Sequence, residues 1–153
     1  MDKKFYLTKE GLERLKKEYE TLRLLRLSKI KGEYSLEDIR AKYIPFIEDM
    51  NFLESRIAEL EQILKNSVLI KKPPKNQQHI VHLGAIVTLE DEDGVINEFM
   101  LVSTLEANPS EGKISTESPV GKALLGKKIG DEIIITSPIR VKYKIKKIKY
   151  EIS

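Results

Sequence analysis

The first half of the chain carries apolar residues at alternating spacings of three and four. They form two sets: Leu12, Leu15, Tyr19 and Leu22, followed by Met50, Leu53, Ile57, Leu60 and Leu64. Such spacing places each set on one face of an amphipathic helix. The first helix is predicted to run from an N-cap at Thr8 to about Ile30, and the second from Pro45 to about Asn66. Each would be about 33 Å long at 1.5 Å per residue, and equal lengths favour an antiparallel two-helix coiled coil.

The connection between the helices, residues 31–44, is the predicted tip of this hairpin. Ser35 is followed three residues later by the carboxylate of Asp38, a pattern typical of a helix N-terminus, so a short helical turn is expected there. Next to the tip, the first helix carries Leu24, Leu25 and Leu27. These residues give it more apolar surface than a two-helix seam can bury. Broader packing or self-association explains this surface more simply than a dedicated partner site.

A linker is predicted after the second helix. Residues 71–78 lack any apolar periodicity and contain the consecutive prolines Pro73 and Pro74, which is typical of a connection between domains. We therefore expect an N-terminal domain over residues 1–75 and a C-terminal domain over residues 76–153.

The second half of the chain is strand-like. The predicted strands are Ala85 to Leu89, Ile96 to Val102, Lys113 to Ser115, Glu132 to Thr136 and Val141 to Tyr150. Asp93-Gly94 supplies a hairpin turn between the first two, and residues 120–125 are predicted to form one short helix. The chain is thus expected to be α+β: an antiparallel two-helix coiled coil followed by a small antiparallel β domain.

Basic side chains alternate with apolar ones near the C-terminus. The basic positions are Arg140, Lys142, Lys144 and Lys146, and the intervening ones are Val141, Tyr143 and Ile145. This alternation predicts a half-buried strand with its basic residues on the solvent face. Protection of a sheet edge by lysine is the expected role of those residues.

Composition narrows the possible chemistry. The 153 residues include no cysteine and two histidines, so thiolate metal sites, disulfides and cysteine nucleophiles are excluded and any metal chemistry must rest on oxygen ligands. No apolar run approaches the roughly 20 residues that span a bilayer, and the charged start leads into no signal segment. A cytoplasmic protein without a membrane partner is expected.

Two separated motifs resemble those of one protein family. The C-terminal motif comprises, in order, Ser118-Pro119, a small-residue helix, Leu124-Leu125-Gly126 and Gly130-Asp131. The N-terminal motif covers residues 6–18. Together they resemble, in order and spacing, the Gre family of bacterial transcript-cleavage factors, and the resemblance extends over nearly the whole chain.

The resemblance implies a fold, a partner and an activity. The C-terminal domain would be similar to FK506-binding proteins, without isomerase activity, and would dock onto bacterial RNA polymerase through the loop with Ser118 and Pro119. The coiled coil would enter the secondary channel as a monomer and stimulate the polymerase's own cleavage of backtracked RNA, so the chain would not itself be an enzyme. The nascent RNA 3′ end would lie near the basic residues of the first helix. Those residues are also explained by an ordinary solvated helix face.

The family's tip acids help to hold a second Mg²⁺ in the polymerase active site and to orient a water, and the isolated protein would bind no metal. Here the candidate metal ligands and catalytic residues are Glu33, Glu37 and Asp38. Alignment on Gly32 matches Glu33 and Glu37 to the family's acidic pair, whereas an ungapped alignment from the second helix places Leu36 and Ile39 there. In the structural alternative, Asp38 caps a short helical turn, Glu37 adds a favourable charge to the N-terminus of that turn, and Glu33 is solvated.

Two other functions stay open, and the unusual tip is the evidence for the first of them. A Gre-fold regulator with an altered tip could occupy the same channel and inhibit the polymerase instead of activating cleavage. A scaffold or peptide-binding module that acts without polymerase would use the β domain alone, which the match at both ends of the chain disfavours.

Overall fold

The computed structural model describes residues 3–31, 50–136 and 139–152, which belong to two compact units. The first unit combines Met1–Phe5 with Lys9–Val68, and the second combines Tyr6–Thr8 with Leu69–Ser153. Residues 69–75, which the sequence-based division assigned to the first domain, group with the second unit. The division into functional domains at residue 75 stays a prediction.

The predicted helices and strands occur in the predicted order, and two further short strands, Phe5–Leu7 and Ser67–Leu69, were not predicted. In chain order they are β1 (Phe5–Leu7), α1 (Lys9–Lys31), α2 (Met50–Lys65), β2 (Ser67–Leu69), β3 (Ile86–Asp91), β4 (Ile96–Val102), β5 (Lys113–Ser115), α3 (Pro119–Leu124), β6 (Glu132–Ile135) and β7 (Val141–Lys149). Strands β1 and β2 form a two-stranded sheet, and β3 to β7 form a five-stranded one. None of the helices within the described ranges is long and apolar enough to cross a membrane.

In the first unit, α1 and α2 pack through an apolar seam. Its buried members are Leu15, Leu22, Leu25, Leu53, Ile57, Leu60 and Ile63. Leu12, Tyr19 and Leu64, predicted for the same seam, are half-buried. Of the three extra leucines, Leu25 is buried, whereas Leu24 and Leu27 are 64% and 46% exposed. The two-helix packing was therefore predicted correctly, and part of the surplus apolar surface remains on the outside of this unit.

Cross-helix polar contacts show that the two helices are antiparallel. The Arg26 guanidinium lies 3.3 Å from a Glu54 carboxylate oxygen, and the Tyr19 hydroxyl donates to Glu61 at 3.2 Å. Tyr19 precedes Arg26 on α1, whereas its partner Glu61 follows Glu54 on α2. The two helices therefore run in opposite directions.

A bidentate ion pair adds to the seam. The Nε and Nη2 groups of Arg56 donate to the two carboxylate oxygens of Glu18 at 2.7 and 3.0 Å. The hydrogen bond to Glu18 is the main cause that raises the pKa of Arg56 above its ordinary value. Because both side chains are partly exposed, solvent screens the pair, and the apolar seam dominates the stability of the hairpin.

In the second unit, the five strands lie in the order β5-β4-β3-β7-β6. Three of the four pairings are antiparallel, but β4 and β5 are parallel, with Met100 opposite Lys113. The predicted antiparallel pairing is therefore confirmed for most of the sheet, and the parallel pair makes the sheet a mixed one. The β4–β5 connection contains two 3-10 turns, Thr104–Glu106 and Pro109–Glu111, so it is long enough to return the chain to the same end of the sheet before β5 begins.

The core of the second unit lies on one face of this sheet, where α3 packs against it. Buried core residues include Val81, Val87, Leu89, Leu101, Ile114, Leu124, Ile133 and Ile145. The register between β3 and β7 shifts after Thr88. This β-bulge brings both Ile145 and Ile148 against the core although an odd spacing separates them.

The lysines of β7 do not protect an edge, which corrects the sequence-based interpretation. Strand β7 lies between β3 and β6, and its basic side chains pair with acids on both neighbours. Lys142 lies 3.0 Å from Glu132 of β6, and Lys146 lies 3.3 Å from Glu90 of β3. Alternation of charge on this strand therefore reflects cross-strand ion pairs on an exposed sheet face.

A buried carboxylate was not foreseen from the sequence. Glu106 is 3% exposed and accepts hydrogen bonds from the backbone N–H of Thr8, at 2.8 Å, and from the Thr8 hydroxyl. Thr8 was selected only as a helix N-cap. Its side chain also donates a hydrogen bond to this carboxylate, which is distant in the sequence. The hydrogen bonds from Thr8 offset the free-energy cost of burying the carboxylate.

The apolar seam leads to a stability prediction. Replacing the fully buried Leu60 with alanine should destabilise the hairpin by about 2–5 kcal/mol, because the side chain leaves a cavity that its neighbours only partly fill. Urea unfolding followed by circular dichroism measures the change. The matched control is Leu24→Ala on the exposed side of α1, which should change stability by less than about 0.5 kcal/mol. Equal effects of the two substitutions would contradict the assigned seam.

Candidate functional site

The predicted site residues fall in two parts of the chain. Glu33, Glu37 and Asp38 lie outside the residues that the structure describes, so their role as metal ligands stays a prediction. Ser118 and Pro119 lie at the start of α3 in the second unit. We call residues 116–119 the docking segment, because Ser118 and Pro119 are the residues predicted to contact a partner.

Ser118 caps α3. Its hydroxyl oxygen accepts from the backbone N–H of Gly121 at 3.1 Å and donates to the Ser115 carbonyl at 2.6 Å. Pro119 occupies the first helical position, where its fixed φ suits the helix and its missing N–H leaves nothing unsatisfied. The Ser-Pro pair therefore sets where α3 begins. Ser118 is half-buried and Pro119 is exposed, so the proline ring is available to a partner.

Gly121 allows α3 to approach the sheet. A Cβ atom at this position would lie 2.0 Å from the Ser115 carbonyl oxygen and 2.9 Å from its carbon. The collision is with backbone, which cannot rotate away as a flexible side chain can. Any larger residue must push α3 and the docking segment away from β5. The sequence marked Gly121 as part of a motif but did not reveal this contact.

Three polar side chains in or beside the docking segment were not selected from the sequence. The Thr104 hydroxyl lies 2.8 Å from the Ser115 hydroxyl and 2.9 Å from a Glu117 carboxylate oxygen. The backbone N–H of Glu117 donates to the Ser115 hydroxyl at 3.0 Å. Thr104 belongs to the β4–β5 connection, and no periodicity or short motif links it to Ser115. Only the parallel pairing of β4 and β5 brings them together.

A shallow groove runs between α3 and β6. Its lining combines exposed apolar and basic side chains with one acid. They include Leu125, Ile134, Lys122, Lys127 and Glu132, whose carboxylate lies 3.0 Å from Lys142. Strand β6 forms one edge of the five-stranded sheet. This surface can provide apolar contact area and positive charge next to the helix that carries Pro119.

The basic residues of α1 are solvated and partly paired. Arg23 lies 3.6 Å from Glu20 and its guanidinium carbon lies 5.5 Å from the centre of the Tyr19 ring, while Lys16 and Lys17 are exposed. The side chains of residues 28–31 lie outside the described set. These contacts agree with a solvated helix face, and they also leave Lys16 and Lys17 accessible to a phosphate.

Among the residues that the structure describes, no group of three or more histidine, cysteine, aspartate or glutamate side chains is arranged to hold a metal ion. The predicted Mg²⁺ ligands Glu33, Glu37 and Asp38 lie outside those residues and stay a prediction. Carboxylate oxygens are the protein ligands that Mg²⁺ prefers.

Comparison with known proteins places this geometry in context. Residues 76–150 match the family model described as transcription elongation factor, GreA/GreB, C-terminal. The chain is 41% identical to transcription elongation factor GreA of Thermomicrobium roseum, over 86% of this chain and 88% of that one. It is 40% identical to GreA of Clostridium acetobutylicum, over 97% and 98% of the two chains. A solved structure of GreA factor homolog 1 of Thermus thermophilus is 29% identical, covers 96% of this chain and 99% of its own, and has a TM-score of 0.44.

The Gly121 contact predicts a sensitive position. Gly121→Ala should destabilise the second unit by about 1–3 kcal/mol, because the added methyl group forces backbone to move in a packed region. Thermal and urea unfolding measure the loss. Lys122→Ala, at the adjacent exposed position of the same helix, is the control and should change stability little. A Gly121→Ala protein as stable as the original would show that α3 can shift freely.

Proposed function

The chain belongs to the GreA family of transcription elongation factors, and from this premise we propose that it binds bacterial RNA polymerase and stimulates the polymerase's own cleavage of backtracked RNA. The observation that carries the proposal is sequence identity with GreA factors over most of both chains. In this proposal the chain is a cytoplasmic monomer. It has no independent enzymatic activity and supplies groups that complete the active site of another molecule.

The helical hairpin suits delivery of a tip into a narrow channel. Helix α1 has 23 residues, which corresponds to about 35 Å at 1.5 Å per residue. Its seam with α2 is closed by buried leucine and isoleucine side chains, so the pair resists bending better than a single helix. We propose that this rod enters the secondary channel of the polymerase, with the nascent RNA 3′ end as its neighbour there.

The acids of the predicted tip are proposed to act on a metal ion shared with the polymerase. Glu33, Glu37 and Asp38 would add carboxylate oxygens to the ligand set of an Mg²⁺ that polymerase and RNA also hold. The chemistry supplied at such a site would be activation of a water for attack on the phosphodiester and neutralisation of the developing charge. Three carboxylates without those partners would bind the ion weakly, because Mg²⁺ gives up its hydration waters reluctantly.

Docking is proposed to occur through the second unit. Pro119 is exposed at the start of α3, and the groove between α3 and β6 adds apolar and basic surface next to it. A rigid proline and a capped helix present the same surface before and after binding, which limits the entropy lost on association. Binding and cleavage would then depend on different parts of the chain.

A cleavage assay on backtracked elongation complexes tests the activity directly. The full chain should increase the rate at which the RNA 3′ segment is released, in the presence of Mg²⁺. The rival function, inhibition by a Gre-fold protein with an altered tip, gives the opposite result in the same assay. Slower nucleotide addition, with no increase in cleavage at any Mg²⁺ concentration, would overturn the proposed activity.

Substitution of the tip acids should separate chemistry from binding. Replacing Glu33, Glu37 and Asp38 together with alanine should abolish the stimulation of cleavage and change polymerase affinity less than about threefold. Single substitutions identify the ligands, since each 1.36 kcal/mol of lost transition-state stabilisation is a tenfold loss of rate. Alanine at the exposed Glu92 of the β3–β4 turn is the matched control. Full stimulation by the triple variant would contradict the assignment.

Substitution of Pro119 tests the docking segment. Pro119→Ala should weaken polymerase binding by about tenfold, because it removes an exposed ring and loosens the start of α3. The control is Pro109→Ala, since Pro109 is also exposed and also opens a short helical turn. Fluorescence anisotropy of labelled protein with core polymerase gives both affinities. Equal affinity of the two variants would place docking elsewhere.

A further inference from the structure

Thr104, Ser115 and Glu117 form a closed arrangement of hydrogen bonds beneath the docking segment. We propose that Thr104 and Ser115 are positioning residues, which hold Glu117 and Ser118 in the conformation that polymerase binds. The inference rests on the proposed docking function, and it assigns a role to residues that do not themselves have to touch the polymerase.

The donors and acceptors available in this arrangement fix the direction of each hydrogen bond. The ionised carboxylate of Glu117 can only accept, so the Thr104 hydroxyl donates to it across 2.9 Å. Having used its single proton, the Thr104 oxygen must accept from the Ser115 hydroxyl across 2.8 Å. The Ser115 hydroxyl oxygen in turn accepts from the backbone N–H of Glu117 at 3.0 Å.

The result is a ring that begins and ends on one residue. It runs from the Glu117 N–H to the Ser115 hydroxyl, then to the Thr104 hydroxyl, and back to the Glu117 carboxylate. Each hydroxyl donates and accepts once, so every bond in the ring polarises the next. The ring holds both the backbone and the side chain of Glu117.

The backbone of Ser115 extends this restraint to Ser118. The Ser115 carbonyl accepts from the Ser118 N–H at 3.0 Å and from its hydroxyl at 2.6 Å. That carbonyl is also the group against which Gly121 packs. Ser115 thus restrains the docking segment through both its side chain and its backbone.

Thr104 is the member of the ring that can be changed with least disturbance. It lies in a 3-10 turn and is exposed to solvent, so its substitution leaves no buried cavity. Valine retains its shape without the hydroxyl, and serine retains the hydroxyl without the methyl group. If the ring preorganises the docking segment, loss of the hydroxyl adds an ordering cost to binding without removing any surface that polymerase contacts.

The experiment compares the affinity and the maximal activity of full-length variants. Thr104→Val should raise the Kd for core polymerase about fivefold, equivalent to ~1 kcal/mol, and leave cleavage at saturating protein unchanged. Ser115→Ala should act in the same direction. Thr104→Ser should restore the original Kd within about twofold. Thr88→Val, at a half-buried threonine of β3, is the control for hydroxyl loss elsewhere in the sheet.

The outcomes distinguish this inference from the function on which it rests. If Pro119→Ala weakens binding but Thr104→Val and Ser115→Ala do not, the positioning role is wrong and the docking proposal stands. If Thr104→Val lowers maximal cleavage and thermal stability as much as it lowers affinity, the ring has only a general structural role and the inference is overturned. If the unmodified chain does not bind polymerase, the docking proposal fails, and this inference fails with it.

Discussion

The second unit depends on the close contact between helix α3 and strand β5. Gly121 lies so near the Ser115 carbonyl that a single added carbon atom would collide with it. The same carbonyl accepts two hydrogen bonds from Ser118, which caps α3. Helix packing, helix capping and the conformation of the docking segment therefore converge on one peptide group. A change at that group therefore acts on all three.

The first unit has a simpler basis. Among the residues that the structure describes, seven buried leucine and isoleucine side chains hold its two helices together, and each contributes about 1.5–3 kcal/mol on burial. Partly exposed ion pairs such as Arg56–Glu18 add at most about 1 kcal/mol each. The ion pairs therefore contribute more to the alignment of the helices than to their stability. This division suits a rod whose function requires a fixed length and an accessible tip.

The two units also differ in what each must provide. For the proposed activity the hairpin has to supply carboxylates at one end, and its seam needs only to keep that end at a fixed distance. The second unit has to supply a preformed surface, and it does so with a proline, a capped short helix and a ring of hydrogen bonds. Under the proposed function, rigidity in the second unit serves affinity, whereas the acids predicted for the tip serve the chemistry.

Local patterns in the sequence determined much of this protein. Apolar spacing predicted α1 and α2, and Asp93-Gly94 predicted the β3–β4 turn. The short helix predicted over residues 120–125 agrees with α3 within one residue at each end. The order of the two motifs also indicated the family, which the relatives confirm. These features depend on residues that are neighbours in the chain, so their physical causes can be read directly from it.

Only the tertiary structure decided which distant segments meet. It made β4 and β5 parallel, placed β7 between β3 and β6 and not at an edge, and buried Glu106 against Thr8. It also brought Thr104 to Ser115. Strand order and the pairing of buried polar groups arise from the closure of long loops and the competition among many possible contacts. The local sequence pattern does not show which of these contacts form. The hydrogen-bonded ring of Thr104, Ser115 and Glu117 could therefore not be predicted before the fold was known.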